Sequence, residues 1–68
     1  MSEITMQIGQ MIKEARAKKG LSQRELGKIM GVTGVTINNY ENGQQNLTVD
    51  TLKKVSEALG VTLKISLE

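Results

Sequence analysis

Asn38 and Asn39 are the residues of this sequence whose side chains are best suited to read another molecule. They stand in the stretch T-I-N-N-Y-E-N-G, residues 36–43, beside Tyr40, the only aromatic residue of the chain. Asparagine is a mediocre helix former, and a solvated helix face carries Lys, Glu or Gln more favourably. An asparagine amide can, however, bond both N6 and N7 of an adenine in duplex DNA. We interpret the two asparagines as residues that face a base edge.

A helical wheel separates the residues around this pair into two faces. The face expected to pack in the core holds Thr33, Ile37, Tyr40 and Glu41. The opposite face holds amides and one small apolar side chain: Val35, Asn38, Asn39 and Asn42, with Gly34 at its N-terminal edge. A small apolar group can touch a thymine methyl, and the free N–H groups of a helix N-terminus favour phosphate. From the residues alone, a neutral solvated surface remains the alternative.

The elements that must position this face are predicted to be helices in one domain, residues 1–68. A first helix has Ser2 or Thr5 as its cap, and Gly20 closes it. Its apolar residues recur at helical spacing: Ile8, Met11, Ile12 and Ala15. A Ser-x-x-Glu capping box at Ser22 and Glu25 opens a short second helix. Gly31 then leads to a third helix over residues 34–42, so that residues 22–42 form a helix-turn-helix pattern.

The remaining segments predict a fourth helix and a strand. Thr48 caps the fourth helix, whose inward residues are Leu52, Val55 and Leu59. Residues 61–67 then alternate strictly, as expected of a half-buried strand with one apolar side made of Val61, Leu63, Ile65 and Leu67. A lone strand cannot satisfy its own hydrogen-bonding groups, and the simplest partner is the same strand of a second subunit. We therefore expect a mainly α fold, with four helices around one core and a C-terminal strand that pairs across a homodimer.

Composition narrows the classes of function. The chain has 68 residues, a net charge of +2, a pI near 9.2, no cysteine and no histidine. Disulfides and the usual zinc sites are excluded, and no titratable pair has catalytic spacing, so an enzyme, a metal site or a cofactor is not expected. No apolar run is long enough to cross a membrane, no ligand domain for a small-molecule effector is visible, and a cytoplasmic location is the simplest interpretation.

The stretch L-S-Q-R-E-L-G-K-I-M-G-V-T-G-V-T-I-N-N-Y-E-N-G, residues 21–43, resembles the helix-turn-helix domain of the phage lambda repressor and Cro type. The likeness extends over residues 8–20 and 47–61. By this resemblance, DNA base contacts fall to Gly34, Val35, Thr36, Asn38 and Asn39. Phosphate contacts fall to Gln23, Thr33, Asn42, Gln44, Gln45 and Asn46. Arg16 and Glu41 match a pair that forms a salt bridge in some relatives.

Three features depart from the family pattern. Gly27 stands where alanine is usual, and Leu47 where proline is common. No Lys or Arg occurs in residues 29–52, although relatives often carry basic residues after the Asn-Gly. Phosphate contact would then rest on amides, backbone N–H groups and more distant cations.

The resemblance implies sequence-specific binding of double-stranded DNA, and hence transcriptional regulation, usually repression by occlusion. A dimer would place two recognition helices, residues 34–42 of each subunit, in successive major grooves of a palindromic operator, about 34 Å apart. Strand-forming tails occur in some antitoxin-type regulators, so a toxin protein is a further partner implied by the resemblance. The alternative is an antitoxin or interaction module of the same fold whose main partner is another protein.

Overall fold

The computed structural model describes residues 3–62, and within them the chain forms four helices. These are α1 (Glu3–Lys18), α2 (Gln23–Met30), α3 (Gly34–Glu41) and α4 (Val49–Leu59). The expected four-helix architecture is therefore confirmed, and none of these helices is long and apolar enough to cross a membrane. Residues 3–62 contain no strand. Of the predicted C-terminal strand, Leu63, Ile65 and Leu67 lie outside the described residues, while Val61 packs partly against the core of its own domain.

The ends of the helices are set by local hydrogen bonds. Ser22 and Glu25 form the expected capping box, in which the Ser22 hydroxyl accepts from the Glu25 N–H and the Ser22 N–H donates to the Glu25 carboxylate. The hydroxyls of Thr33 and Thr48 accept in the same way at the starts of α3 and α4. The cap expected at Thr5 is wrong, because α1 already begins at Glu3 and Thr5 is buried inside the helix.

Each helix contributes one fully buried aliphatic side chain to a common core. These side chains are Ile12, Leu26, Ile37 and Val55. Tyr40 and Leu59 complete the core with exposures of 8% and 2%. The expectation that Tyr40 packs inside is thus confirmed. Burial of a side chain of this size stabilises the fold by about 1.5–3 kcal/mol, so the four helices hold one another through this cluster.

Two glycines allow helices and turns to approach closely. A Cβ on Gly9 of α1 would lie 2.5 Å from the Glu41 carbonyl oxygen, so α1 crosses the end of α3 backbone to backbone. A Cβ on Gly27 of α2 would lie 2.7 Å from the Val32 carbonyl oxygen. The departure from the usual alanine at position 27 therefore has a steric reason, since the turn after α2 leaves no room for a methyl group.

Candidate nucleic-acid interface

α3 is held by one face and leaves the other accessible. Ile37, Tyr40 and Glu41 are buried, as the helical wheel predicts. On the outer side, Val35 is 69% exposed, and Asn38 and Asn39 are half-buried. Thr33 differs from the wheel assignment, because as the N-cap it lies outside the helix proper and is exposed. The accessible face thus joins a short apolar side chain to two amides, which can bond base edges.

The inner face is fixed by a buried ion pair between α1 and α3. Arg16 Nε lies 2.6 Å from Glu41 Oε2, and Arg16 Nη2 donates to Glu41 Oε1 over 3.1 Å. The guanidinium also donates through Nη1 to the Leu21 carbonyl oxygen at 2.7 Å. The hydrogen bond to Glu41 raises the pKa of Arg16 above its ordinary value, against the opposing effect of burial. Because the Glu41 side chain is only 1% exposed, loss of Arg16 would leave a buried charge without its partner.

Gln23, the first residue of α2, extends this network to the outer face. Its Nε2 donates to Glu41 Oε1 and to Asn38 Oδ1, each over 3.1 Å. The side chain expected to touch a phosphate is therefore engaged within the protein. Its backbone N–H belongs to the first turn of α2, where amide groups lack partners inside the helix and point outward.

The N-terminus of α3 lies against the start of α2. A Cβ built on Gly34 would lie 3.2 Å from Arg24 Cα, so the glycine permits close contact between the two helices. The small size of Gly34 thus serves the packing of α2 on α3. Thr33 and Thr36 are linked at this end, with their hydroxyl oxygens 3.1 Å apart and the Thr36 N–H donating to Thr33.

The polar residues that follow α3 lie on the surface. Asn42 is the C-cap of α3, and Gly43 then adopts a positive φ of 70° with its Cα face against Met6. Four residues of this segment are exposed: Asn42, Gln44, Gln45 and Asn46. Asn46 Oδ1 lies 3.4 Å from the Thr5 hydroxyl, which links the loop to α1. The amides expected to meet phosphates thus lie beyond the C-terminal end of the outer face.

Arg24 also lies at this surface and was not predicted from the sequence. It is exposed and lies beside Gly34, at the end of α3 where the outer face begins. The available signal was its position next to Gln23 at the start of the motif. Residues 29–52 contain no cation. Arg24 comes from α2, and the fold places it next to the outer face of α3.

α2 and α3 are short, capped and tightly packed on each other, and α3 has an anchored inner face and an amide-rich outer face. This arrangement defines a DNA-binding domain of the kind found in transcription regulators. A family model described as Helix-turn-helix matches residues 12–65. The chain belongs to this family, the helix-turn-helix domains of the lambda repressor and Cro type.

Relatives and solved structures agree with this assignment. The chain is 32% identical over 59 residues to antitoxin HipB of Escherichia coli strain K12, a match that covers 87% of this chain and 67% of HipB. It spans smaller shares, 15% and 45%, of two other curated relatives that are named as transcriptional regulators.

Two restriction-modification controller proteins have similar structures. C.AhdI from Aeromonas hydrophila matches with a TM-score of 0.80 and 31% identity, covering 85% of this chain and 84% of C.AhdI. C.Esp1396I, solved as a tetramer in complex with its natural 35 base-pair operator, matches with a TM-score of 0.83 and 26% identity. That match covers 91% of this chain and 82% of C.Esp1396I.

Proposed function

We propose that the protein binds a specific sequence in double-stranded DNA and represses transcription there by occluding the promoter. The observation that carries the proposal is the division of α3 into a locked inner face and an accessible outer face. Glu41 and Ile37 fix the helix on the core, while Val35 and Asn39 stand outside. A rigid helix with an uncharged, amide-rich outer face suits the major groove, which admits an α-helix and offers bases by their hydrogen-bonding edges.

The base contacts come from the outer face and the N-terminal end of α3. We assign them to Gly34, Val35, Thr36, Asn38 and Asn39. Val35 is suited to a thymine methyl, and Asn39 to the N6 and N7 pair of adenine. Gly34 would take part through its backbone, since it has no side chain and its Cα packs against Arg24.

The phosphate contacts flank this surface on both sides. We assign them to Gln23, Thr33, Asn42, Gln44, Gln45 and Asn46. Gln23 would act through its backbone N–H at the N-terminus of α2, because its side-chain donors are already engaged. Arg24, next to the start of α3, adds a charged contact to this set.

The functional unit is a homodimer on a palindromic operator. The support is the alternating pattern of residues 61–67 and the operator-bound tetramer of the similar protein C.Esp1396I. Val61, Leu63, Ile65 and Leu67 would form the seam between subunits. Two copies of α3 would then lie about 34 Å apart, one helical turn of DNA.

Selection of bound sequences from a random pool of duplex DNA tests the proposal. We expect a consensus made of two inverted half-sites, because a two-fold dimer reads the same sequence on opposite strands. Failure to enrich any sequence at low salt, where phosphate attraction is strongest, would overturn the proposal.

A second candidate function is that of an antitoxin whose main partner is a protein. The similarity to antitoxin HipB supports it, as does the absence of cations in residues 29–52. Asn39→Asp separates the two candidates, because a carboxylate in the groove repels phosphate and loses the donor to adenine N7. It should abolish DNA binding, whereas a protein partner that binds elsewhere on the domain would still be retained.

A further inference from the structure

The side-chain donors of Gln23 are fully used inside the protein. A glutamine amide carries two N–H groups, and the Gln23 Nε2 atom has two acceptors at 3.1 Å, Glu41 Oε1 and Asn38 Oδ1. What remains of the amide is its oxygen, which only accepts hydrogen bonds. Phosphate oxygens also only accept. In this arrangement the Gln23 side chain cannot bond a phosphate.

The anchor of this arrangement is rigid. Glu41 is held by Arg16 through both carboxylate oxygens, and its side chain is 1% exposed. Gln23 therefore bonds a carboxylate that is itself fixed to α1. A hydrogen bond to an ionised group is stronger than one between neutral groups. The bond to Glu41 therefore fixes the Gln23 side chain, and the fixed Gln23 side chain in turn holds Asn38.

We propose that Gln23 is a positioning residue that fixes Asn38 and so sets which base Asn38 reads. The inference rests on the proposed function and identifies the base that is recognised at one position of the half-site. The bond from Gln23 takes one of the two lone pairs of Asn38 Oδ1 and holds that oxygen toward α2, while both N–H donors of Asn38 stay open within residues 3–62. Guanine presents two adjacent acceptors there, N7 and O6, whereas cytosine presents a donor. In this orientation we expect Asn38 to prefer guanine.

Asn39 provides the contrast within the same helix. Among residues 3–62, no side chain holds the amide of Asn39 by a hydrogen bond, so both its oxygen and its nitrogen are open to a base. It can make the paired contact to adenine N6 and N7 that an asparagine offers. The two neighbouring asparagines thus read different bases because only one of them is tied to α2.

The test combines Gln23→Met, Asn38→Ala and the double variant in selections from a random duplex pool. Methionine keeps the length of the side chain and removes its donors. We expect both single variants to lose the guanine preference at the same position of each half-site, with a reduction in discrimination of about tenfold. The double variant should match Asn38→Ala alone. If Gln23→Met instead weakens all sequences equally and adds to Asn38→Ala, Gln23 contacts the backbone of the DNA and the proposal is wrong.

A measurement on the free protein separates this proposal from the proposed function. Three-bond NMR couplings report the χ1 angle of Asn38, which should be one rotamer in the parent and averaged in Gln23→Met. Gln10→Met is the matched control, because Gln10 also donates to a glutamate, Glu14, but is exposed on α1 and has no bond to Asn38. An averaged Asn38 in the parent would overturn the proposal. If the parent selects no DNA sequence, the proposed function fails, and the couplings still decide whether Gln23 holds Asn38.

Discussion

Adjacent residues of α3 have different roles, in packing or in recognition, and the role of each depends on whether its side chain is buried. Tyr40 packs in the core and Glu41 bonds Arg16, while Asn39, which precedes Tyr40, is half-buried on the outer face. A single step along a helix turns the side chain by about 100°, which is enough to separate these roles. Substitutions on the two sides of α3 should therefore have separable effects on stability and on recognition.

Asn39→Ala tests recognition. We expect specific binding to weaken by about 1–3 kcal/mol and the preference at one position of each half-site to relax. The physical reason is loss of a two-point contact to one base, with no change in the phosphate contacts. Binding to the selected operator and to a random duplex should be measured by fluorescence anisotropy. Equal weakening on both duplexes would mean that Asn39 does not read a base.

Gly9→Ala tests the crossing of α1 and α3. Inside a helix this change would normally stabilise by about 1 kcal/mol through helix propensity. Here the new methyl group would meet the Glu41 carbonyl, and we expect a net loss of about 1–3 kcal/mol. Urea unfolding measures the change. Gly20→Ala is the comparison. Gly20 has open space around it, so any loss of stability there comes from its φ of 70° and not from a steric clash. A stabilised Gly9→Ala protein would contradict the close crossing.

Whole elements are defined by chemistry that can be recognised locally. Ser22 with Glu25, and Thr33 and Thr48, start three helices, and each start was predictable because a side-chain oxygen bonds an N–H only three residues away. Gly31 ends α2 in a left-handed conformation that glycine adopts without strain. Element boundaries after α1 could for this reason be read from the sequence to within a residue.

The contacts between elements could be predicted only in part. The periodicity of α3 identified Ile37, Tyr40 and Glu41 as inward, because burial follows the helical repeat. The crossing at Gly9 and the bond of Gln23 to Asn38 were not predicted. The first depends on which backbone lies opposite, and the second on the rotamer that a neighbouring helix imposes. Family resemblance paired Arg16 with Glu41, but spacing in the sequence contains no such information. The candidate site was therefore predictable as a face, and its internal hydrogen bonds were not.

The capping box of α2 should make stability depend on pH. Hydrogen bonds from the Ser22 N–H and hydroxyl lower the pKa of Glu25 below its ordinary value. The stabilisation is complete above the pKa of an unfolded glutamate and is lost as the pH falls through the lowered pKa of the folded state. Glu25→Gln should remove this part of the acid destabilisation. Urea unfolding of both proteins between pH 7 and pH 3 measures it, and parallel curves would show that Glu25 does not contribute.

At the scale of the whole molecule, the positively charged side chains lie on helices other than α3. Lys and Arg occur on α1, α2 and α4 but are absent from residues 29–52, which include all of α3. Recognition in such a molecule must depend on hydrogen bonds and shape more than on phosphate attraction. The dependence of affinity on salt and the assembly of subunits are the measurable consequences.

The salt dependence of operator binding should be shallow. Each phosphate neutralised by a cation contributes about −0.9 to the slope of log K against log salt. Arg24→Gln should reduce the slope by about one unit per subunit, because Arg24 lies next to the start of α3. Lys53→Gln, on the exposed side of α4, is the matched control and should leave the slope unchanged. A slope as steep as about −10, the value known for lac repressor, would mean that distant lysines engage the DNA extensively.

Assembly should depend on the apolar side of residues 61–67. Ile65→Lys places a charge on that side in both subunits at once, and deletion of residues 63–68 removes most of the segment. Either change should shift the protein toward monomer and weaken operator binding, because α3 loses the partner that fixes half-site spacing. Equilibrium ultracentrifugation measures assembly, with Ser66→Lys on the polar side as control. A truncated chain that remains dimeric with unchanged affinity would place the seam on another surface.

The two-sided construction of α3 has a consequence for how such a regulator diversifies. Val35, Thr36 and Asn39 take no part in the core cluster, so a gene duplicate can acquire a different operator through a few codons without rebuilding its interior. Asn38 is the exception, because its partner Gln23 belongs to another helix and also bonds Glu41. A new preference at that base would require coordinated change at two separated positions. Mutational drift should therefore alter the half-site quickly at the bases that we assign to Val35 and Asn39, and slowly at the base that we assign to Asn38.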